Sequence, residues 1–372
     1  MKRGDNSLDG TNVDAHVRGG NGLARVLHFP LDRSLGQLFL VQDEVRFRYG
    51  GEVGQPLPDA QGPVTVVGPG HIHLALNHDA VADLSSLAQL QPDDLHTVYA
   101  HGCPLTDDQM VYLSVLTGLR RLSLLDTPIG NEGLRSLQHM RALRILDLNR
   151  THVGDDGLAF LRDLTSLEDL QIGETRITGE GLVYLEHLTA LQRLVVSDTA
   201  VDDSGMRHLQ RLVALTHLDL DSTQVGDAGL VYLHALVNLE ELNLSGTHIG
   251  DGGLVHVQRL PALGHLRLDG TRVTDAGLRS LESMTSLYSL SLNDTSVTDE
   301  GLVALRKLRK LEGVGLAGTR VTDNGVQTLA QMPTLHGVDL DDTLVSTVVR
   351  DELNRLLHQR LLDSVKRRAD NR

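Results

Sequence analysis

The chain has 372 residues, of which 40% are hydrophobic but only 3% aromatic, and tryptophan is absent, so leucine must supply most of the core. A formal net charge of −15 disfavours a general binding surface for nucleic acid or anionic membrane. The single cysteine, Cys103, excludes an internal disulfide bond and is typical of a reducing compartment.

Residues 1–22 are polar and rich in Gly, Asp and Asn, and we predict a disordered tail there. No apolar segment follows Lys2 and Arg3, so no secretory signal is visible. The sequence also lacks an apolar run of the roughly 18 residues that would suggest a membrane span. We therefore predict a cytoplasmic protein with neither a nucleic-acid nor a membrane partner.

Residues 23–79 have the pattern of a small β unit. Short apolar runs at 24–29, 36–42, 45–49, 64–67 and 72–76 predict strands. Residues 54–56 (Gly-Gln-Pro) and 68–70 (Gly-Pro-Gly) predict turns between them. The unit is either an independent domain or an N-terminal cap for the segment that follows, and we favour the cap.

Residues 80–343 repeat one pattern with a period of 24 residues. A threonine returns at Thr127, Thr151, Thr175, Thr199, Thr223, Thr247, Thr271, Thr295, Thr319 and Thr343. A glycine follows six residues after all but the last of these, from Gly133 to Gly325. The unit reads L-x-x-L-x-L-x-x-T-x-[VI]-x-D-x-G-L-x-x-L-x-x-L, which predicts a short strand followed by a short helix.

This period and the L-x-x-L-x-L pattern resemble those of leucine-rich repeats. We predict an α/β fold, a right-handed leucine-rich-repeat solenoid (horseshoe), because one strand and one helix bury their leucines only against stacked neighbours. Parallel strands are expected at 96–100, 120–125 and every 24 residues thereafter, up to 337–341. Residues 344–372 predict a C-terminal helical cap, with Val349, Leu353, Leu356, Leu357 and Leu361 on one side.

The repeated columns have structural interpretations. We expect the threonine hydroxyls to be buried and to bond backbone groups that would otherwise be unpaired. The glycines are expected to let backbone approach backbone closely, and pairs such as Thr274-Asp275 to cap a helix N-terminus. Cys103 occupies the threonine position of the first unit and predicts a buried, inert thiol, with a reactive thiol as the alternative.

The phrase V-T-D-x-G-L at 273–278 and 297–302 resembles the bacterial type of leucine-rich repeat, and V-T-D-N-G-V at 321–326 is a variant of it. The same phrase is similar to the cysteine-containing repeats of F-box receptors. The resemblance implies recognition of a protein partner on the concave β face. F-box membership would imply a helical adaptor-binding segment before the repeats, whereas residues 23–77 predict strands.

The exposed strand positions define the candidate site on the concave face. Acidic side chains outnumber basic ones there, which indicates either a surface for a basic partner or a solvated polar face. The predicted partner-binding residues are Asp147, Asp169, Arg193, His217, Asp219, Asp221, Glu241, Asn243, Arg267 and Asp269.

Two metal-binding alternatives remain at this stage. His217, Asp219, Asp221 and Glu241 lie on adjacent predicted strands and offer metal-ligating groups. In the β unit, His71 and His73 alternate with apolar residues, which predicts exposed strand positions, and a metal there is the alternative.

No nucleophile motif, phosphate-binding loop, dinucleotide fingerprint or CxxC pair is present, so we predict neither an enzyme nor a cofactor. The function predicted is a monomeric, non-catalytic scaffold that binds a protein partner. The alternative is a substrate-recruiting subunit of an enzyme complex, such as a ubiquitin-ligase-like receptor.

Overall fold

The computed structural model describes residues 24–42 and 54–370. The predicted tail at 1–22 and the predicted strand at 45–49 lie outside these residues. Among the described residues, no helix combines the length and the apolar character that crossing a membrane requires.

Within the described residues, one 14-stranded sheet runs through the whole repeat region. The N-terminal strands are β1 (Ala24–His28), β2 (Gly36–Val41), β3 (Gln55–Pro56), β4 (Pro63–Val67) and β5 (His71–Leu76). The repeat strands are β6 (Thr97–Tyr99), β7 (Arg121–Ser123), β8 (Ile145–Asp147), β9 (Asp169–Gln171), β10 (Arg193–Val195), β11 (His217–Asp219), β12 (Glu241–Asn243), β13 (His265–Arg267), β14 (Ser289–Ser291), β15 (Gly313–Gly315) and β16 (Gly337–Asp339).

The strands β5 to β16 pair in parallel, each with the next repeat in the chain. Leu122 pairs with Leu146, and Leu146 with Leu170, so the pairing register equals the sequence period. The predicted leucine-rich-repeat solenoid is therefore confirmed. Each repeat strand is three residues long, shorter than predicted, and ends directly before the second core residue, such as Leu124 after β7.

Each connection contains short helical turns on the side opposite the sheet. The α-helices are α1 (Asn131–Leu134), α2 (Asp155–Leu158), α3 (Asp203–Met206), α4 (Asp251–Val257), α5 (Asp275–Leu278), α6 (Asp299–Leu305), α7 (Asp323–Ala330) and α8 (Thr347–Asp370). The 3₁₀ segments are Asp79–Ala82, Ser85–Gln89, Asp107–Leu113, Arg135–Leu137, Ala159–Leu161, Glu180–Leu185, Arg207–Leu209, Gly229–Ala235 and Arg279–Ser283.

The N-terminal strands continue the repeat sheet. β2 pairs antiparallel with β5, and β5 pairs in parallel with β6, with Leu74 beside Val98. β1 and β4 form a separate antiparallel pair. The turn predicted at 54–56 was wrong: Gln55–Pro56 pairs with β2, and Pro56 is tolerated because it lies on the last strand of the sheet. That this unit acts as a cap stays a proposal.

The threonine column bonds the backbone as the sequence predicted, and all its threonines are buried except Thr175 and Thr343, which are partly buried. The hydroxyl of Thr127 donates to the carbonyl oxygen of Leu124 at 2.6 Å, and the same bond recurs at each later threonine of the column. The bond closes a turn whose preceding residue has a positive φ, such as Asp126 at 58° and Glu174 at 52°. This column of residues directly before the threonines could not be recognised in the sequence, because Asp, Arg, Glu, Ser and Gly all occupy it.

Replacing Thr223 by valine is expected to lower the free energy of unfolding by about 1–3 kcal/mol, because the Leu220 carbonyl loses its donor at a site that is 1% exposed. The matched control is Thr285→Val, where the threonine is exposed. Urea unfolding followed by circular dichroism measures both variants. Equal stability of the two would show that the buried hydroxyl contributes nothing.

The C-terminal helix α8 packs on the last repeat through fewer side chains than predicted. Leu353 and Leu357 are buried, and Val349 packs partly buried against the core. Leu356 and Leu361 are exposed, contrary to prediction, because they flank the contact stripe at the helical period instead of lying in it. The Arg360 guanidinium donates to the carbonyl oxygens of Met332 and Ala330, both at 2.7 Å, and so joins the helix to the last repeat.

Candidate functional site

The candidate site lies on the solvent side of the parallel sheet, which we call the sheet face. It is formed by the first and third residues of β6 to β16 and by the residue two places after each strand. The middle residue of each strand, such as Leu218, points into the core. The ten predicted residues therefore fall on this one face, from β8 to the end of β13.

A shallow hollow of about 270 Å³ lies on the sheet face over β10 to β13. Its polar lining comes from Arg193, His217, Asp219, Glu241, Asn243, His265 and Arg267. A second hollow over β9 to β11 shares Arg193 and His217 with it. The structure thus brings together the central part of the predicted set.

The hollow contains both signs of charge. His217 Nε2 lies 3.3 Å from Glu241 Oε1, while its Nδ1 lies 2.7 Å from the Thr216 hydroxyl. Burial lowers the pKa of His217, and Arg193 lowers it further, against the opposing effect of Glu241. His217 is therefore neutral near pH 7, and the carboxylate of Glu241 supplies the charge of this pair.

Several predicted contact residues also hold the sheet face in shape. Asp219 Oδ1 accepts the backbone N–H of Asp221 at 3.0 Å, and Asn243 Oδ1 accepts that of Ser245 at 3.1 Å. Asp269 Oδ1 accepts the N–H of Asn293, in the next repeat, at 2.7 Å. A substitution here must keep an acceptor oxygen if it is to test binding alone.

The prediction that Asp169 is exposed was wrong, since it is 7% exposed. The Gln171 amide donates to its Oδ1 at 3.2 Å, and Arg193 Nε lies 3.8 Å from its Oδ2. These two side chains cover the carboxylate. The Asp169 carboxylate therefore lies beneath the Arg193 side chain on the sheet face and helps to orient it.

The prediction that His73 is exposed was also wrong, since it is 2% exposed. β5 lies inside the sheet, between β2 and β6, so its side chains have neighbours on both sides. Burial lowers the pKa of His73 to about 3, and Arg121, His71 and His96 lower it further. The pKa of His96 is lowered to about 4, mainly by burial.

One polar chain on the sheet face was not foreseen from the sequence. The Ser123 hydroxyl donates to Asp147 Oδ2 at 2.9 Å and lies 2.7 Å from His101 Nε2. In a hydrolytic triad the histidine stands between the serine and the acid, whereas here the serine stands in the middle. Asp147 thus accepts from the hydroxyl and does not orient the imidazole, so the order of a hydrolytic triad is not formed by these three residues.

Neither a metal nor a reactive thiol is indicated in the part of the chain that the structure describes. No group of three or more His, Cys, Asp or Glu side chains is arranged there to hold a metal ion. Cys103 is 2% exposed, its thiol lies 3.7 Å from the carbonyl oxygen of Leu76, and burial raises its pKa. This agrees with the predicted buried, inert thiol.

Comparisons with known proteins agree with the geometry. A family model described as Leucine Rich repeat matches residues 139–161, 214–233, 235–256 and 283–305. The structure is similar to that of an internalin from Listeria monocytogenes, at 20% identity over 74% of each chain and a TM-score of 0.61. It is also similar to a TDR receptor, at 14% identity over 73% of this chain and 47% of that one, with a TM-score of 0.51. No curated protein matches the sequence significantly. The chain therefore contains leucine-rich repeats, and it has the solenoid fold that they form.

Proposed function

We propose that this protein is a non-catalytic scaffold that binds a protein partner on its sheet face, centred on β9 to β13. The observation that carries the proposal is the hollow lined by polar side chains of four consecutive strands. Repeat solenoids offer extended binding surfaces of this kind. The core positions carry leucine or another apolar residue in every repeat, whereas the sheet-face positions vary and so can encode a specific partner.

The chemistry of the sheet face favours a basic or mixed-charge partner. Its carboxylates include Asp219, Asp221, Glu241 and Asp269, while Arg193 and Arg267 stand beside them. Such a surface steers association by electrostatics, so the complex is expected to weaken with salt. That the protein is monomeric and cytoplasmic stays a prediction from the sequence.

The alternative of a ubiquitin-ligase-like receptor requires a helical adaptor-binding segment before the repeats. In the described part of that region, 24–42 and 54–77, the regular elements are β-strands. The scaffold therefore has the stronger support, and recruitment of a substrate to an enzyme remains the second candidate without an observation that favours it.

The triple variant Asp219→Asn, Asp221→Asn and Glu241→Gln is expected to weaken binding at least tenfold, which corresponds to roughly 1.4 kcal/mol. The amide oxygens keep the acceptor that the N–H of Asp221 needs, so the fold should persist. The partner is captured from lysate of the source cell on the immobilised full chain and identified by mass spectrometry. Its affinity is then measured with the purified protein at two salt concentrations.

The control variant Asp163→Asn, Glu180→Gln and Glu300→Gln removes the same charge from exposed positions of the helical side. It should bind the partner like the unmodified chain. If both triple variants bind the partner as tightly as the unmodified chain does, the sheet face is not the recognition surface. If only the control variant loses the partner, the helical side is the recognition surface.

A further inference from the structure

Tyr288 is unusual among the aromatic residues of the described part of the chain, because it is the one whose side chain is exposed, at 41%. The other rings in the repeats are partly buried against the core, as at Tyr112, Phe160, Tyr184 and Tyr232. Tyr288 lies directly before β14, and its ring contacts that of His265, which lines the hollow together with Glu241. Exposed tyrosines are among the residues that most often dominate protein interfaces.

A glycine in the preceding repeat fixes the position of this ring. Gly264 is the residue one period before Tyr288, and a Cβ there would overlap the ring. The same position carries larger residues in other repeats, namely Gln192, Thr216, Glu240, Glu312 and His336. The ring also meets His265 edge-on, with ring centroids 4.1 Å apart. Only glycine at position 264 leaves room for the tyrosine ring in this position. The ring is therefore held in place before a ligand binds, and it loses little conformational freedom on binding.

Glutamates precede and follow Tyr288 at the equivalent position of other repeats. Glu240, Gly264, Tyr288 and Glu312 occupy the same position in consecutive repeats and are joined by backbone hydrogen bonds of 2.8–2.9 Å. Glu241 follows Glu240 and begins β12, which is separated from β14 by β13. All three glutamates are exposed. Burial raises the pKa of Tyr288, and the negative charges of Glu241, Glu240 and Glu312 raise it further.

We propose that Tyr288, together with Glu240, Glu241 and Glu312, is a subsite for a positively charged side chain of the protein partner. An exposed ring attracts a cation to its face, and flanking carboxylates neutralise that cation by charge-assisted hydrogen bonds. Guanidinium and ammonium groups share this chemistry. The inference rests on the proposed scaffold function and specifies which group of the partner enters this subsite.

The test uses the full chain labelled on its tyrosine rings, with ring signals followed by NMR. The probes are N-acetyl-arginine amide, N-acetyl-lysine amide and the uncharged N-acetyl-citrulline amide. The arginine or lysine probe should shift the Tyr288 signals saturably at millimolar concentration, whereas citrulline should not. Tyr288→Leu assigns the signals by removing them. Equal shifts with citrulline would overturn the proposal.

Two variants test the parts of the subsite. Replacing Glu240, Glu241 and Glu312 by glutamine should lower the affinity for the cationic probe about tenfold. Gly264→Ala should abolish the shifts by displacing the ring, whereas Gly337→Ala, where no atom lies within 4 Å of a built Cβ, should leave them unchanged. Unchanged affinity in the glutamine variant would contradict the proposed recognition.

The outcome for the subsite is separable from that for the scaffold function. If a cationic probe binds at Tyr288 but the sheet-face triple variant captures the partner as well as the unmodified chain does, the subsite is supported and the scaffold proposal is contradicted. A partner that needs the sheet face, while no cationic probe shifts Tyr288, supports the scaffold proposal and overturns the subsite.

Discussion

Replacing Gly181 by alanine is expected to lower the free energy of unfolding by about 3 kcal/mol, the combined effect of overpacking and a displaced hydrogen-bonded carboxylate. In an ordinary helix the same change stabilises by up to about 1 kcal/mol, because alanine is the better helix former. The sign reverses here since a Cβ at Gly181 would overlap Oδ1 of Asp155, in the preceding repeat.

Asp155 is placed there by a bond that links the two repeats. Its Oδ1 accepts the backbone N–H of Thr178 at 2.8 Å, and its Oδ2 accepts the Thr178 hydroxyl at 2.7 Å. The carboxylate thus reaches from one repeat to the start of the next helical segment, and the glycine leaves room for it. Moving the carboxylate would break both bonds.

The double variant Asp155→Ala with Gly181→Ala separates two contributions to the loss of stability. One is the overlap of the new Cβ with the Asp155 carboxylate, and the other is every further effect of the alanine at position 181. After Asp155→Ala the nearest remaining atom to the new Cβ is Cα of residue 155, at 3.2 Å. The alanine at 181 should then cost at least about 1 kcal/mol less than it does alone. The control is Gly313→Ala, where no atom lies within 4 Å, with an expected change within about 0.5 kcal/mol. If urea unfolding shows that the free-energy cost of the double variant equals the sum of the costs of the two single variants, the proposed overlap is excluded.

The same arrangement recurs along the array. The side-chain Oδ1 of Asp or Asn accepts a backbone N–H of the next repeat at 2.6–2.8 Å, and the acceptors are Asp107, Asn131, Asp155, Asp203, Asp227, Asp251, Asp275, Asp299 and Asp323. Gly179 replaces the acid in one repeat. There, a Cβ built at Gly205 would lie 2.5 Å from Cα of Gly179, so backbone fills the space of the missing carboxylate.

This coupling shows where prediction from sequence succeeded and where it failed. The period places Leu122 beside Leu146 and buries Thr223, because packing allows one solution per repeat. The glycine column was correctly seen as a close approach, but the approaching group was expected to be backbone. At Gly181 it is a carboxylate from 26 residues earlier, and only the stacking distance between repeats brings the two together.

The candidate site was predictable in place but not in detail. Alternation assigns Asp219 and Glu241 to the sheet face, and both line the hollow. It cannot show that Gln171 and Arg193 cover Asp169, because that depends on side-chain conformations across neighbouring strands. Tyr288 was overlooked because the predicted strand included it at the same alternation as the core residue Leu290, whereas in the structure it precedes β14 and its ring lies over Gly264.

The N-terminal end of the sheet is expected to lose stability as the pH falls below neutrality, with His73 contributing about 2 kcal/mol between pH 7.5 and pH 5. The unfolded chain takes up a proton at His73 near its ordinary pKa of 6.5, whereas the folded state keeps the imidazole neutral until about 3. A lowered pKa of this kind means that the stability is fully present above about 6.5 and is lost progressively as the pH falls toward the folded value.

Hydrogen exchange of the backbone amides in β5 and β6 measures this local stability, because end units of a solenoid open separately from its centre. The variant His73→Leu removes the titrating group. At pH 7.5 both proteins carry an uncharged side chain there, so a difference at this pH reports packing and polar contacts but not charge. Between pH 7.5 and pH 5 the variant should lose about 2 kcal/mol less protection than the unmodified chain. The same pH dependence in both proteins would show that His73 is not the group that resists protonation.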